Sequence, residues 1–308
     1  MSDLEAQLSQ SGPTGGTVAS VGTFDGVHLG HRALLGTVRD AAASAGLSSL
    51  AITFRAQPRA IIRPDLPVSY LATLERRLNI MRTLGLDTII ATDFDEPLRN
   101  MTAARFLSVL KSAAGLRKIV LGPGARMGHD RLDAEGLKAV AAGLEIEVIE
   151  AAPAALGDRK VSSSAIREAL QAGDLPTAHE MLGRKYVLDG TVVHGEKRGR
   201  ELGFPTANIE PAPQLVIPAD GIYATVIEVD DRMMMAATSI GVRPTFGGGE
   251  RLVESYVLDF DGDLYGHEVA LKFVRRLRGE MKFDGADPLI EQMKHDVEET
   301  RSVLSTVI

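Results

Sequence analysis

Short apolar runs of strand length alternate with helix-period patterns through the first half of the chain. The strand-like runs cover residues 18–21, 50–54, 88–91, 118–121 and 144–149, and helical periodicity is clearest over 32–43, 74–84, 103–112 and 134–142. Alternation of this kind predicts a parallel sheet wrapped by helices. Two short helical patterns, 164–172 and 175–182, close this half. After Gly183 the period changes to two, with strand-length runs at 186–193, 222–229, 233–240, 252–258 and 269–275 separated by Asp and Gly turn clusters. No helical period returns until 287–304, so the second half predicts a small antiparallel barrel with one C-terminal helix. The fold class expected is therefore α/β followed by β: a flexible leader over 1–16, a Rossmann-like domain over 17–183 and a barrel over 184–308.

A length of 308 residues fits this division, since domains run to about 150 residues. Hydrophobic residues at 44% and charged residues at 24% exclude a disordered chain, a collagen and a coiled coil. The absence of cysteine excludes disulfides, a thiolate nucleophile and Cys-ligated metals, and fits a reducing cytoplasm. With 34 basic against 41 acidic residues and no Trp, the chain offers no broad basic face and no aromatic clusters for a nucleic acid. The acidic start Met1-Ser2-Asp3-Leu4-Glu5 lacks the basic and apolar regions of a signal peptide, and no uncharged stretch reaches the roughly 20 residues of a membrane helix. A cytoplasmic protein of small-molecule chemistry is expected, with neither a nucleic-acid nor a membrane partner.

Val21-Gly22-Thr23-Phe24-Asp25-Gly26-Val27-His28-Leu29-Gly30-His31 follows the first strand and opens the first helix. Backbone N–H groups and the positive end of the helix dipole meet there, where an anion would sit. His28 and His31 are three apart and can face one phosphate, donating hydrogen bonds as charge grows on a departing pyrophosphate. Gly30 between them lets the backbone approach closely. The same string also reads as a plain strand–turn–helix corner with two histidines, or as a His pair on a metal, although no third ligand lies nearby. Near the end of this half, Val161-Ser162-Ser163-Ser164-Ala165-Ile166-Arg167 can simply cap a helix through its serines. Its functional reading adds Arg167 as a fixed cation for the β- and γ-phosphates of a nucleoside triphosphate.

In the second half, Gly195, Gly199 and Gly203 form a pliable segment with Lys197, Arg198 and Arg200, able to cover phosphates without being a Walker A loop. Pro205-Thr206-Ala207-Asn208 follows, and Thr206 and Asn208 alternate onto one side of an extended segment, where a hydroxyl and an amide oxygen can meet a hard cation. The plain alternative is a hairpin loop followed by an edge strand. Residues after Gly183 carry 15 basic against 21 acidic groups, so a nucleotide there should arrive with Mg²⁺.

Together these motifs resemble the bacterial bifunctional riboflavin kinase/FAD synthetase family. The first half resembles its HxGH adenylyltransferase domain, through the two motifs above, Arg63-Pro64-Asp65, Leu71 to Leu84 and Leu182-Gly183-Arg184. The second resembles its riboflavin kinase domain, through Ser239 to Phe246, Val253-Glu254-Ser255-Tyr256 with Leu258-Asp259-Phe260, Asp263-Leu264-Tyr265-Gly266 and Leu277-Arg278-Gly279-Glu280-Met281-Lys282-Phe283. The resemblance implies ATP-dependent phosphorylation of riboflavin to FMN, then transfer of AMP from ATP to FMN to give FAD and pyrophosphate. It implies nucleotide contacts from Gly22, Phe24, Asp25, Gly30, Ser163 and Ser164 in the first half and from Gly195, Gly199, Gly203 and Thr206 in the second. His28, His31 and Arg167 are the implied catalytic groups of adenylyl transfer. Glu254 is the implied base of the kinase, with Thr206 and Asn208 on Mg²⁺. Arg278, Arg126 and Met127 are the implied flavin contacts, while Phe283 and Tyr256 are aromatic neighbours that barrels more often bury as core.

Two segments depart from the family pattern. Thr53-Phe54-Arg55-Ala56-Gln57-Pro58 stands where Thr-Phe-Glu-Pro-His-Pro is usual, and Gly122-Pro123-Gly124-Ala125-Arg126-Met127-Gly128 where Gly-x-Asp-Phe-x-Phe-Gly is usual. Ala125 cannot stack on a flavin as an aromatic ring would. Ser164 replaces Thr, and Ser239 replaces Asn. These changes set the expectation that the first half binds ATP but joins it poorly to FMN, or takes another acceptor. A second reading is a riboflavin kinase with a structural first half, and a third is a flavin sensor without turnover. Nothing in the sequence fixes an assembly state.

Overall fold

The computed structural model describes residues 2–307 except 14, 158, 196–198, 200–202 and 243–250. The chain packs into two compact units, one of residues 1–68 and 74–162, the other of 69–73 and 163–308. The boundary falls two helices ahead of the expected junction at Gly183. Helices over Ser163–Ala172 and Leu175–Leu182 pack on each other, and the second packs on the last strand of the barrel.

The first unit is a five-stranded parallel sheet of β1 (Thr17–Gly22), β2 (Ser48–Phe54), β3 (Thr88–Thr92), β4 (Leu116–Leu121) and β5 (Glu147–Glu150) in the order β3-β2-β1-β4-β5. Its helices are α1 (Asp3–Ser11), α2 (Leu29–Ala45), α3 (Pro58–Ile62), α4 (Leu74–Arg82), α5 (Glu96–Arg99), α6 (Ala103–Ala114) and α7 (Ala134–Ala142), and a small ribbon of β6 (Ala155–Leu156) and β7 (Arg159–Lys160) closes it. Strand alternation feeds two cores. Val18, Ala51 and Val120 pack under α2 and α4 with Leu35, Val38 and Met81, while Ala19, Leu50, Ile52 and Ile119 pack on the other face with α6 and α7. The winding direction reverses between β1 and β4. In open α/β sheets a ligand crevice lies at that reversal, outside the carboxyl ends of the strands.

In the second unit, the two helices named above are α8 (Ser163–Ala172) and α9 (Leu175–Leu182). Strands β8 (Val187–Val193), β9 (Thr206–Pro211), β10 (Gly221–Val229), β11 (Arg232–Val242), β12 (Arg251–Val257) and β13 (Glu268–Arg278) close a barrel in the order β10-β11-β12-β9-β8-β13. One helix, α10 (Ala286–Leu304), covers Ala224 and Val226 on the outside of β10 with Leu304. Inside, Thr225, Thr238 and Ser255 form a buried hydroxyl chain, with oxygens 2.6 and 2.7 Å apart and Thr225 donating to Ala236 O at 3.0 Å. Because β9 pairs with both β8 and β12, it is not the edge strand that the sequence left open.

The expected leader is instead a helix over residues 3–11. Ser2 caps it, accepting from Glu5 N while Glu5 accepts from Ser2 N, which closes a capping box. Leu4 and Leu8, one turn apart, are buried at 0% and 2% exposure in the core shared with α6. The Asp3 carboxylate accepts from Thr92 Oγ1 and Asp93 N, and the backbone bond from Asp93 holds its pKa below the ordinary value. The Gly12-to-Gly16 cluster drew attention to the break after this helix and away from its two-leucine face. Replacing Leu4 or Leu8 with Ala is expected to destabilise the first unit by about 2–5 kcal/mol in urea unfolding, as for other buried leucines. A flexible leader would give no change.

Candidate active sites

At the end of β1 the backbone turns sharply. Phe24 and Val27 take positive φ of 45° and 38°, with Gly26 at 74° between them, and all three lie buried in or beside a 3-10 turn over Asp25–Val27. Positive φ at a β-branched residue is strained backbone, and such strain concentrates at functional sites. The turn delivers His28 to the N-cap of α2, where its Nδ1 accepts from His31 N at 3.3 Å. In a neutral His28 that bond leaves the proton on Nε2.

The two imidazoles stack, with centroids 3.7 Å apart and planes at 17°, and Phe24 meets His31 edge-on at 5.4 Å. His31 is half-buried, and its solvent-shielded Nδ1 has no partner among the described residues. Burial first, then the charges of His28 and Arg77, push its pKa well below 6.5 and keep it neutral. A Cβ on Gly30 would stand 3.1 Å from the His28 ring, so a side chain there would press on the stack. The arrangement presents unfilled amides at the start of α2 beside two imidazoles, which suits an anion whose charge grows during reaction.

A cavity of about 650 Å³ opens at the carboxyl ends of β1, β2 and β4. Val21, Gly22 and Thr23 form one wall, and Phe54, Phe94 and Phe106 line the apolar interior. Phe54 and Phe94 meet edge to face at 5.4 Å. Arg126 and Met127, the expected flavin contacts, line this cavity together with Ala125. The sequence missed Phe94 and Phe106. Phe94 follows β3 and Phe106 lies on α6, so only the fold gathers them with Phe54, which stands inside one of the two departing segments. Ser163, Ser164 and Arg167 lie on the first turns of α8 in the second unit, where Arg167 Nε donates to Ser69 O at 2.9 Å.

The barrel carries the other constellation. In the antiparallel register Glu254 of β12 stands opposite Asn208 of β9, and Tyr256 opposite Thr206. Glu254 also stands opposite Ser239 of β11. Val253, Ser255 and Val257 are buried, so Glu254, Asn208 and Thr206 share the outer face. Two glycines beyond β8 approach that face. A Cβ on Gly195 would overlap the Asn208 amide at 2.1 Å from its nitrogen, and one on Gly199 would sit 3.3 Å from Thr206 Oγ1. Gly203, at φ 85°, makes the return turn. Phe204 then packs edge-on against Tyr256 at 5.3 Å. The expected flap cations Lys197, Arg198 and Arg200, and residues 243–246 of the Ser239–Phe246 motif, lie outside the described residues.

Arg278, the other expected flavin contact, is held by the C-terminal helix. Its Nε and Nη2 donate to the two oxygens of buried Asp296 on α10, at 2.9 and 2.6 Å, and Nη1 donates to Gly279 O. A buried carboxylate needs such a fork, and this one ties α10 to the end of β13.

Comparison with known proteins agrees with this geometry. The FAD synthetase family matches residues 11–165 and the riboflavin kinase family residues 182–304. A bifunctional riboflavin kinase/FMN adenylyltransferase of Pseudomonas fluorescens is 34% identical over 94% of this chain and 93% of the relative. The chain belongs to the bifunctional riboflavin kinase/FMN adenylyltransferase family. Its Escherichia coli K12 member is 32% identical over 94% of this chain and 93% of its own. A solved structure titled macrolide-efflux protein from Streptococcus pneumoniae superimposes with a TM-score of 0.85 at 33% identity, covering 94% of this chain and 95% of that one. Among the described residues no helix of this family member is long and apolar enough to cross a membrane.

A Gly195→Ala change is expected to displace the Asn208 amide. An overpacking penalty of about 1–3 kcal/mol predicts a roughly 10- to 100-fold fall in riboflavin phosphorylation. FMN adenylylation, measured on the same preparation, should be unchanged.

Proposed function

We propose that this chain makes FMN and FAD in two steps, riboflavin phosphorylation on the barrel and FMN adenylylation on the α/β unit. The observation that carries the reading is the common outer face of Glu254, Asn208 and Thr206, three side chains suited to positioning an alcohol and a metal-bound triphosphate. In the kinase step the terminal ribityl hydroxyl attacks the γ-phosphorus of ATP, its proton passes to Glu254 and ADP departs. Phosphoryl transfer asks little covalent chemistry of the protein, so positioning and charge neutralisation dominate. The hydroxyl of Thr206 and the amide oxygen of Asn208 fit a hard cation, and both would hold Mg²⁺. Bound there, Mg²⁺ would neutralise phosphate charge on an otherwise acidic half.

In the second step an FMN phosphate oxygen attacks the α-phosphorus of ATP and pyrophosphate leaves. No proton is transferred to the protein. His28, through Nε2–H, and the α2 amides donate to the phosphates, and neutral His31 supports the His28 ring by stacking. The flavin ring would occupy the 650 Å³ cavity against Phe54, Phe94 and Phe106. These rings come from outside the 122–128 loop, so the cavity keeps aromatic walls with Ala125 in that loop. Work in the cytoplasm, without nucleic acid or membrane, belongs to the same reading.

The test is a time course with riboflavin, ATP and Mg²⁺, resolving the three flavins by chromatography. Wild type is expected to pass through FMN to FAD. Glu254→Gln should slow FMN formation by about 10²–10⁴-fold while leaving FAD formation from added FMN intact. His28→Ala with His31→Ala should stop the sequence at FMN, slowing the second step by about 10²–10³-fold. Unchanged FAD formation in the double variant would overturn the assignment of the first unit.

A further inference from the structure

Arg77, on α4, is a fully buried cation at 1% exposure in the first unit. A guanidinium stays charged in a protein, so burying one needs strong partners. Its Nη1 donates to Thr23 O at 2.7 Å, and its Nη2 donates to Phe54 O at 2.5 Å with Arg55 O at 3.4 Å. Those carbonyls stand where β1 and β2 end, just beyond the last paired residues Gly22 and Thr53. Arg77 thus links the two strand ends from below.

The link matters because the backbone beyond Thr23 is strained. It takes positive φ at Phe24, Gly26 and Val27, then presents His28 as the cap of α2. Strained backbone persists only where its surroundings over-determine it. Here α4 packs directly on the 3-10 turn, and Arg77 grips the carbonyl at its entrance. The groups whose charge acts on His31 include His28, stacked from the cap, and Arg77 from α4, and Arg32 follows it on its own helix. Arg77 therefore stands close enough to influence both the placement and the charge of the imidazole pair.

We propose that Arg77 is a positioning residue for adenylyl transfer, clamping the ends of β1 and β2 so that the strained turn sets His28 and His31 for the phosphates. This rests on the reading of the first unit as an FMN adenylyltransferase. It predicts that the guanidinium fork, and not charge alone, is needed, since a lysine cannot grip two separated carbonyls in the same fixed plane.

The test uses the full chain carrying Arg77→Met or Arg77→Lys. FMN adenylylation is expected to fall about 10²-fold in kcat for R77M and about tenfold for R77K, as misplaced catalytic groups do. Riboflavin phosphorylation by the same preparations should stay within about twofold of wild type. The imidazole of His31 is followed by NMR, assigned with His31→Asn. Its titration should move up in R77M, where a like charge is lost, and stay in place in R77K. R77M kinetics within about threefold of wild type, or an unmoved His31 titration in folded R77M, would overturn the proposal. Should R77M not fold, R77K decides: a kcat within about twofold of wild type overturns it. A wild type that makes no FAD from FMN would sink the adenylyltransferase reading instead. The titration still tests the Arg77 coupling without turnover.

Discussion

The register of β9 against β12 is the constraint on which the common face of Glu254, Asn208 and Thr206 depends. Side chains alternate along a strand, so a one-residue slip of β9 would turn Asn208 and Thr206 inward and bring Ile209 to the surface, and a slip of β12 would exchange Glu254 and Val253 in the same way. Burial of those apolar residues opposes the slip. The hydroxyl chain of Thr225, Thr238 and Ser255 adds a polar check, because a shifted β12 would leave Thr238 without the Ser255 oxygen inside the barrel. An unsatisfied buried hydroxyl costs about 1–3 kcal/mol. Core packing and site assembly are thus two consequences of one pairing.

The α/β unit reaches its chemistry by another route. Its sheet is buried on both faces and places loops at the carboxyl ends of the strands, where a reversal of winding opens a crevice. The backbone between β1 and α2 is strained, held by burial of Phe24 and Val27 and by the Arg77 bonds to the strand-end carbonyls. Strain and a buried charge are poor investments for stability alone. They make sense where a stacked pair of imidazoles must stand at a helix start.

Much of this was legible in the sequence, for definable reasons. The HxGH string and the Thr206–Asn208 pair are local, so their chemistry and spacing can be read together. Strand and helix periods located the sheet and the barrel. The cavity was not legible, because Phe54, Phe94 and Phe106 come from three elements whose convergence only the tertiary fold creates. The focus on Ala125 came from reading one loop in isolation. The bond of Arg278 was not legible for a similar reason: its partner Asp296 lies on a helix 18 residues away, and no local pattern announces it. The N-terminal helix was missed because a nine-residue segment with two leucines carries little periodicity of its own.

The most direct test of the account is a crystal structure of the chain with riboflavin, ADP and Mn²⁺, the metal located by its anomalous signal. The account predicts the metal on Thr206 Oγ1 and Asn208 Oδ1, with a Glu254 oxygen within about 3 Å of the terminal ribityl hydroxyl. Metal and flavin bound away from the β9–β12 face, with Glu254 in solvent, would contradict it.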